Sequence, residues 1–325
     1  MTRILVIRFS SIGDIILTTP VLRHLKTQLD GKVELHFLTK EVFRPLLELN
    51  PNVDRIWTMG KDLEPVLKEL EEIEFDYVVD LHRNLRTALV KRKVKGLYMT
   101  FEKLNFEKWL LVNLHIDRLP RIHIVDRYMA AIKPFGVVDD GKSLDYFLPE
   151  SCSVDLRPWS FEEGNYVAWV IGAAHPGKRF SASKVISVLN RYKGKVILIG
   201  GPEDKVLAEE IMSQVHGKVL NMVGRCSLHE SAWLLKQAQS VVTPDTGMMH
   251  IASALKKRIF SLWGCTVPEF GMYPYHPGEG SMIFEPIGMT KRPCSKLGDR
   301  CKYPENCIEQ IDEEALLDAL RAAKR

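Results

Sequence analysis

The stretch IRFSSIGDIILTTPVLRHL, residues 7–25, ends one apolar run, breaks into Ser10, Ser11, Gly13 and Asp14, and resumes apolar residues at helical spacing. An apolar run that stops at small polar residues and restarts with a different period is a strand passing through a loop into a helix. Outward from it the same alternation recurs: RILVIRF at 3–9, VELHFLT at 33–39, EVFRPLLEL at 41–49, VDRIWTM at 53–59, a charged helix over 62–73, and DYVVDLH at 76–82. Strands that read as continuous apolar runs between helices predict a parallel sheet covered on both faces, a Rossmann-like half.

Over 137–165 the pattern lapses into a stretch rich in Pro, Ser, Gly and charge, which marks a domain boundary near 150. The alternation then restarts with YVAWVIGAA, a helix over 181–192, KVILIGG, a helix over 204–215, KVLNM, a helix over 228–236, SVVT, a helix over 246–255 and RIFSLWG. The fold class is therefore α/β: residues 1–150 form one Rossmann-like domain and 151–325 a second, with parallel sheets facing across a cleft. The tail IDEEALLDALRAAK, 311–324, reads as an amphipathic helix with Ile311, Ala315, Leu316 and Leu320 on one stripe, expected to cross the boundary.

Composition fits this reading. Of the 325 residues 46% are hydrophobic and 26% charged, as in a soluble globular protein, and no apolar run approaches the roughly 20 residues of a membrane span. No cleavable leader is evident, so a cytoplasmic setting is expected. The net charge of +4 is uneven: residues 82–127 hold eleven Lys or Arg against four acids, which calls for an anionic partner. Three of the six cysteines fall in CSKLGDRCKYPENC, 294–307, with no tight C-x-x-C pair; three thiols are too few for a structural zinc site, so they read as reduced structural cysteines and no metal is expected.

In doubly wound sheets ligands bind beyond the carboxyl ends of the strands, so the chemistry is sought there. Asp14 at a helix start is either a first-turn acid, stabilised by the helix dipole, or a general base for an attacking hydroxyl. The lone Gly13 does not complete the G-x-G-x-x-G of dinucleotide binders. In VVTPDTGMMHIASAL, 241–255, open N–H groups at Thr246, Gly247 and Met248 suit a diphosphate, and His250 stands one turn on; Asp245 would repel a phosphate placed on it. Lys178 and Arg179, in IGAAHPGKRFSASKV, are either solvated loop cations or partners for a diphosphate leaving group, and Glu203 or Asp204, in LIGGPEDK, is either a helix-start acid or an acceptor for a ribose diol.

Together these segments, with DYVVDLHRNLRTALV and RIHIVDRY, resemble glycosyltransferase family 9, the bacterial heptosyltransferases of the lipopolysaccharide inner core. The resemblance implies a GT-B fold and an inverting, metal-independent transfer of heptose from ADP-heptose to a Kdo-lipid A or core oligosaccharide acceptor. No cofactor and no nucleic acid are implied. Asp14 matches the general base. Lys178 matches the lysine that contacts the donor diphosphate, joined by Gly13, Arg179, Glu203, Asp204, Asp245, Thr246, Gly247, Met248 and His250 on the donor side. Ser10, Ser11, Arg83 and Arg86 are assigned to the anionic acceptor, while Lys103 and Lys108 around Trp109 are expected to rest peripherally on the inner membrane.

Overall fold

The computed structural model describes residues 1–323; Lys324, the end of the predicted terminal helix, lies outside them. In chain order the elements are β1 (Thr2–Ile7), α1 (Ile12–Ile16), α2 (Thr19–Gln28), β2 (Val33–Lys40), β3 (Arg55–Met59), α3 (Glu64–Glu71), β4 (Tyr77–Asp80), α4 (Leu85–Lys93), β5 (Leu97–Thr100), α5 (Asn105–Leu114) and α6 (Ile124–Ile132). Then come β6 (Val167–Val170), α7 (Ala182–Arg191), β7 (Lys195–Ile199), α8 (Lys205–Gln214), β8 (Lys218–Asn221), α9 (Leu228–Gln237), β9 (Ser240–Pro244), α10 (Gly247–Ala254), β10 (Ile259–Leu262), β11 (Met282–Phe284) and α11 (Glu313–Ala323).

The chain divides into two compact units, Met1–Leu104 with Ile122–Phe147, and Asn105–Arg121 with Leu148–Arg325. The first holds a parallel sheet in the order β3-β2-β1-β4-β5. The second holds a parallel sheet in the order β11-β10-β9-β6-β7-β8. Both are doubly wound: the strand order reverses between β1 and β4 in one and between β6 and β9 in the other, the crevice positions where such sheets take ligands. The central strands are predominantly apolar because both their faces are covered; β6, β9 and β10 are buried at every residue. Leu5, Ile7, Leu38 and Val78 anchor the first core, Trp169, Val185, Leu198 and Phe260 the second.

Some expectations are corrected. The segment 41–49 is a 3-10 helix over Glu41–Leu46, since Pro45 inside it has no N–H to give an α-helical ladder. The single helix read from Asp14 is two, broken before Pro20, whose ring displaces the carbonyl of Ile16; Thr19 Oγ1 donates to that oxygen at 2.7 Å instead. One crossing between the units falls at 147–148, beside the expected boundary near 150, and two more, at 104–105 and 121–122, make the division discontinuous. Residues 139–147, read as linker, are strapped to α2 by Arg23, whose Nε donates to Asp140 Oδ2 at 2.8 Å and which also pairs with Asp145. Residues 105–121 belong to the second unit, where Lys296 Nζ donates to Asn105 Oδ1 at 2.8 Å and Arg121 pairs with Glu269 at 3.4 Å. The terminal helix lays Leu316 and Leu320 in the second unit's own core, with Ile311 just before it, each at most 2% exposed, while Ala315, expected on the same stripe, is exposed.

Candidate functional site

In the first unit the loop after β1 turns into α1 through Ser11, and Asp14 closes a capping box there. Asp14 Oδ2 accepts from the Ser11 N–H at 3.0 Å and the Ser11 hydroxyl at 2.7 Å. The first-turn acid of the sequence reading is thus present, but the carboxylate is also paired with the Arg8 guanidinium and keeps 21% of its side-chain surface exposed. Arg8 lies over the Tyr128 ring, its Nε donates to Ser10 O at 2.8 Å, and its Nη1 donates to Leu81 O beyond β4. It therefore bridges the two loops at the strand-order reversal. Burial pulls on the Arg8 charge, yet the carboxylate of Asp14 and the neighbours Tyr128 and Asp80 hold its pKa above the ordinary value. His82, edge-on to Phe9, is driven down to about 4 by burial and then by the Arg8 charge, so its imidazole is neutral.

After β4, Asp80 Oδ1 accepts from the backbone N–H of His82 and of Arg83, turning the chain so that Arg83 takes a left-handed conformation at φ 51°. Asn84 caps α4, and Arg83 and Arg86 stand exposed at its start. Two cations at a helix start oppose the dipole. That placement spends helix stability to put positive charge at a strand end.

In the second unit the loops after β6 and β9 meet through one ion pair: Lys178 Nζ lies 2.7 Å from Asp245 Oδ2, with side chains only 18% and 11% exposed. Thr266 Oγ1 donates to the same oxygen at 3.0 Å. The repulsion foreseen between Asp245 and a phosphate is answered by this pairing, since the carboxylate is neutralised and an ammonium has three donors, of which Asp245 takes one. Thr246, at the N-cap of α10, makes no side-chain cap to the first-turn N–H groups of Gly247 and Met248. His250, expected as a further donor one turn beyond Thr246, is 2% exposed.

Asp204 also departs from expectation. It is 2% exposed, accepts from the Gly201 N–H at 2.9 Å and pairs with Arg179 at 3.2 Å; burial raises its pKa. Gly172 leaves the space for it, since a Cβ there would lie 1.9 Å from Asp204 Oδ2. Asp204 thus closes the turn between β7 and α8, and Glu203 is the exposed acid of this loop. Lys108 is likewise 8% exposed and drawn over the Phe270 ring, whereas Phe106 and Trp109 on the same helix are exposed. Among the described residues no helix is long and apolar enough to cross a membrane.

Sequence reasoning missed Arg8, His82 and Thr266. Arg8 carried a signal, a lone cation closing an apolar strand; His82 and Thr266 carried none, since their roles depend on neighbours from other loops. It also missed that Cys265, at the end of β10, joins Cys294, Cys301 and Cys307, the four sulfurs lying within 4.8 Å of one another.

Comparison with known proteins follows this geometry. The model of glycosyltransferase family 9 (heptosyltransferase) matches residues 65–296. Lipopolysaccharide heptosyltransferase 3 of Escherichia coli (strain K12) is 24% identical over 277 residues, covering 78% of this chain and 80% of its own. Among solved structures, the glycosyl transferase family 9 protein of Veillonella parvula DSM 2008 superposes with a TM-score of 0.80 at 22% identity, covering 99% of this chain and 97% of that one. An E. coli heptosyltransferase with ADP gives 0.72 at 18% identity, covering 99% and 100%. The GT-B fold expected from the sequence is the fold of these neighbours.

Proposed function

The chain belongs to glycosyltransferase family 9, and from that premise we propose that it transfers heptose from ADP-heptose to the Kdo or heptose residues of a lipopolysaccharide inner core, with inversion and without a metal in the reaction. The observation that carries the donor half is the pair of Lys178 and Asp245 beside the uncapped start of α10. The ammonium, steadied by Asp245, and the N–H groups of Gly247 and Met248 offer positive charge and donors to the two phosphates of departing ADP. The relative solved with ADP supports a nucleoside diphosphate ligand for this fold. Glu203 meets the ribose hydroxyls, while Asp204, Arg179 and His250 hold the loops that present these groups.

Asp14 takes the proton from the attacking acceptor hydroxyl. Ser11 and Arg8 fix its orientation, and 21% of its side-chain surface stays exposed. Inversion follows when the hydroxyl attacks the face of the anomeric carbon opposite the leaving diphosphate. Arg83 and Arg86 pair with the carboxylates or phosphates of the acceptor, and Phe106 and Trp109 rest on the membrane surface that carries it, at the cytoplasmic face of the inner membrane. No cofactor besides the donor takes part.

The test is an incubation of purified protein with ADP-heptose and a Kdo-lipid A or heptosylated core acceptor, followed by mass spectrometry of the acceptor and nuclear magnetic resonance of the new linkage. One added heptose of inverted configuration, with ADP released and no divalent ion supplied, is expected. An isomerised donor formed without any acceptor would instead make the chain an epimerase.

A further inference from the structure

The segment between β11 and α11 contains no regular α-helix or β-strand, yet it gathers three cysteines, two of them buried, around a buried fourth from another loop. Cys265, Cys294 and Cys307 are at most 2% exposed, and Cys301 is partly exposed. Cys265 Sγ and Cys307 Sγ lie 3.4 Å apart, Cys294 Sγ stands 3.8 Å from both Cys301 Sγ and Cys307 Sγ, and all four sulfurs fall within 4.8 Å of one another. A disulfide needs about 2.05 Å, so no two of these are joined. Four thiolates each about 2.3 Å from a tetrahedral zinc stand about 3.8 Å from one another, the spacing found here.

We propose that Cys265, Cys294, Cys301 and Cys307 form a mononuclear tetrathiolate zinc site. Binding releases the four thiol protons and leaves a doubly negative centre. Its surroundings suit that charge. The Cys307 N–H donates to Cys301 Sγ at 3.3 Å, an outer contact of the kind that orients a ligand sulfur. The Arg292 guanidinium, paired with Glu285 at 2.9 Å, is held beside the Cys265 loop by the carbonyls of Gly264 at 2.6 Å, Trp263 at 3.0 Å and Thr266 at 2.9 Å. Four protein sulfurs close the coordination sphere, so this zinc is structural and leaves no position for substrate. Cys301 gives the metal its way in.

The site also has a consequence for the donor loop, and that part rests on the function proposed above. Cys265 N–H donates to Gly177 O at 2.9 Å, a Cβ on Gly177 would lie 2.6 Å from Cys265 Sγ, and Asn306 Nδ2 donates to Pro176 O at 2.8 Å. The cluster therefore braces the turn that carries Lys178 on one side, while Thr266, next to Cys265, holds Asp245 on the other. A metal that fixes the cluster fixes the pair.

Elemental analysis of the full chain, purified without chelator, is expected to find one zinc per chain, released by a mercurial. Cobalt exchanged into the unmodified protein should show the visible and near-ultraviolet bands of a tetrathiolate. Cys294→Ser and Cys307→Ser should cut zinc content about tenfold, whereas Cys152→Ser and Cys226→Ser should retain it. If the serine variants do not fold, the zinc content and cobalt spectrum of the unmodified protein still decide. Zinc well below one equivalent with freely reacting thiols overturns the site, and one equivalent of iron overturns zinc as its metal. Zinc removal should weaken ADP roughly tenfold; unchanged ADP affinity in a protein shown to bind zinc overturns the brace alone.

Discussion

Lys178 Nζ and Asp245 Oδ2, 2.7 Å apart, tie the loop after β6 to the loop after β9 at the point where the strand order of the second sheet reverses. The first unit has a counterpart in Arg8, which reaches from the loop after β1 to the Leu81 carbonyl beyond β4. Each unit thus places a cation across the place where its sheet opens.

Lys178→Ala should raise the Kd for ADP about tenfold to a hundredfold, or about 1.4–3 kcal/mol. Asp245→Asn should cost less by itself, because the ammonium keeps its charge and loses only its orientation. Calorimetric titration of ADP into both single variants and the double variant should show coupling of about 0.5–3 kcal/mol. Strictly additive effects would mean that the two residues do not act as a unit.

Asp14→Asn keeps an oxygen for the Ser11 N–H and so keeps the cap, but it cannot take a proton. Turnover should fall about 10²–10⁴-fold with ADP affinity unchanged. Steady-state kinetics beside a melting curve checks this; an active, folded variant removes Asp14 as the base.

His82 gives a pH dependence whose sign is fixed. Its folded pKa, about 4, lies below the ordinary 6.5, so the unfolded chain binds the proton more readily between these values. The stability that accompanies neutral His82 is complete above about pH 6.5 and is lost as the pH falls toward about 4. His82→Gln should flatten that limb in urea unfolding measured at several pH values; identical limbs for both proteins would refute it.

Reversing the charges at the start of α4, with Arg83→Glu and Arg86→Glu together, should raise the acceptor KM at least about tenfold and leave the donor KM alone. A change confined to the donor would move these arginines to the other substrate.

Leu320→Ala should destabilise the protein by about 2–5 kcal/mol, because this side chain is 1% exposed within the second core. Thermal unfolding measures it, and a loss below about 0.5 kcal/mol would mean that α11 is not part of that core.

The sheets were readable in the sequence because strands covered on both faces must be apolar along their length, and VAWV, KVILI and SVVT could be little else. The site loops were readable for the same reason, since chemistry at the strand ends follows from the sheet. Roles within the loops were not. Asp204 and Glu203 are adjacent and chemically alike; only a nook lined by Gly172 decides which is buried. Asp14 looked like either a cap or a base, and the structure makes it a cap with an exposed edge. The resemblance to glycosyltransferase family 9 supplied what spacing could not, an expectation about the donor. Cys265 went unseen because nothing local marks it as a partner of cysteines beyond the next strand.

The backbone passes between the two units three times, at 104–105, 121–122 and 147–148. A fragment ending near residue 150 would carry α5 without Lys296 and Lys302, which hold it, and the remaining piece would lack that helix. The halves are therefore not interchangeable modules: a chimera joined at one junction would inherit a mismatched α5, so exchange of donor or acceptor specificity between relatives calls for grafting 105–121 with the second unit.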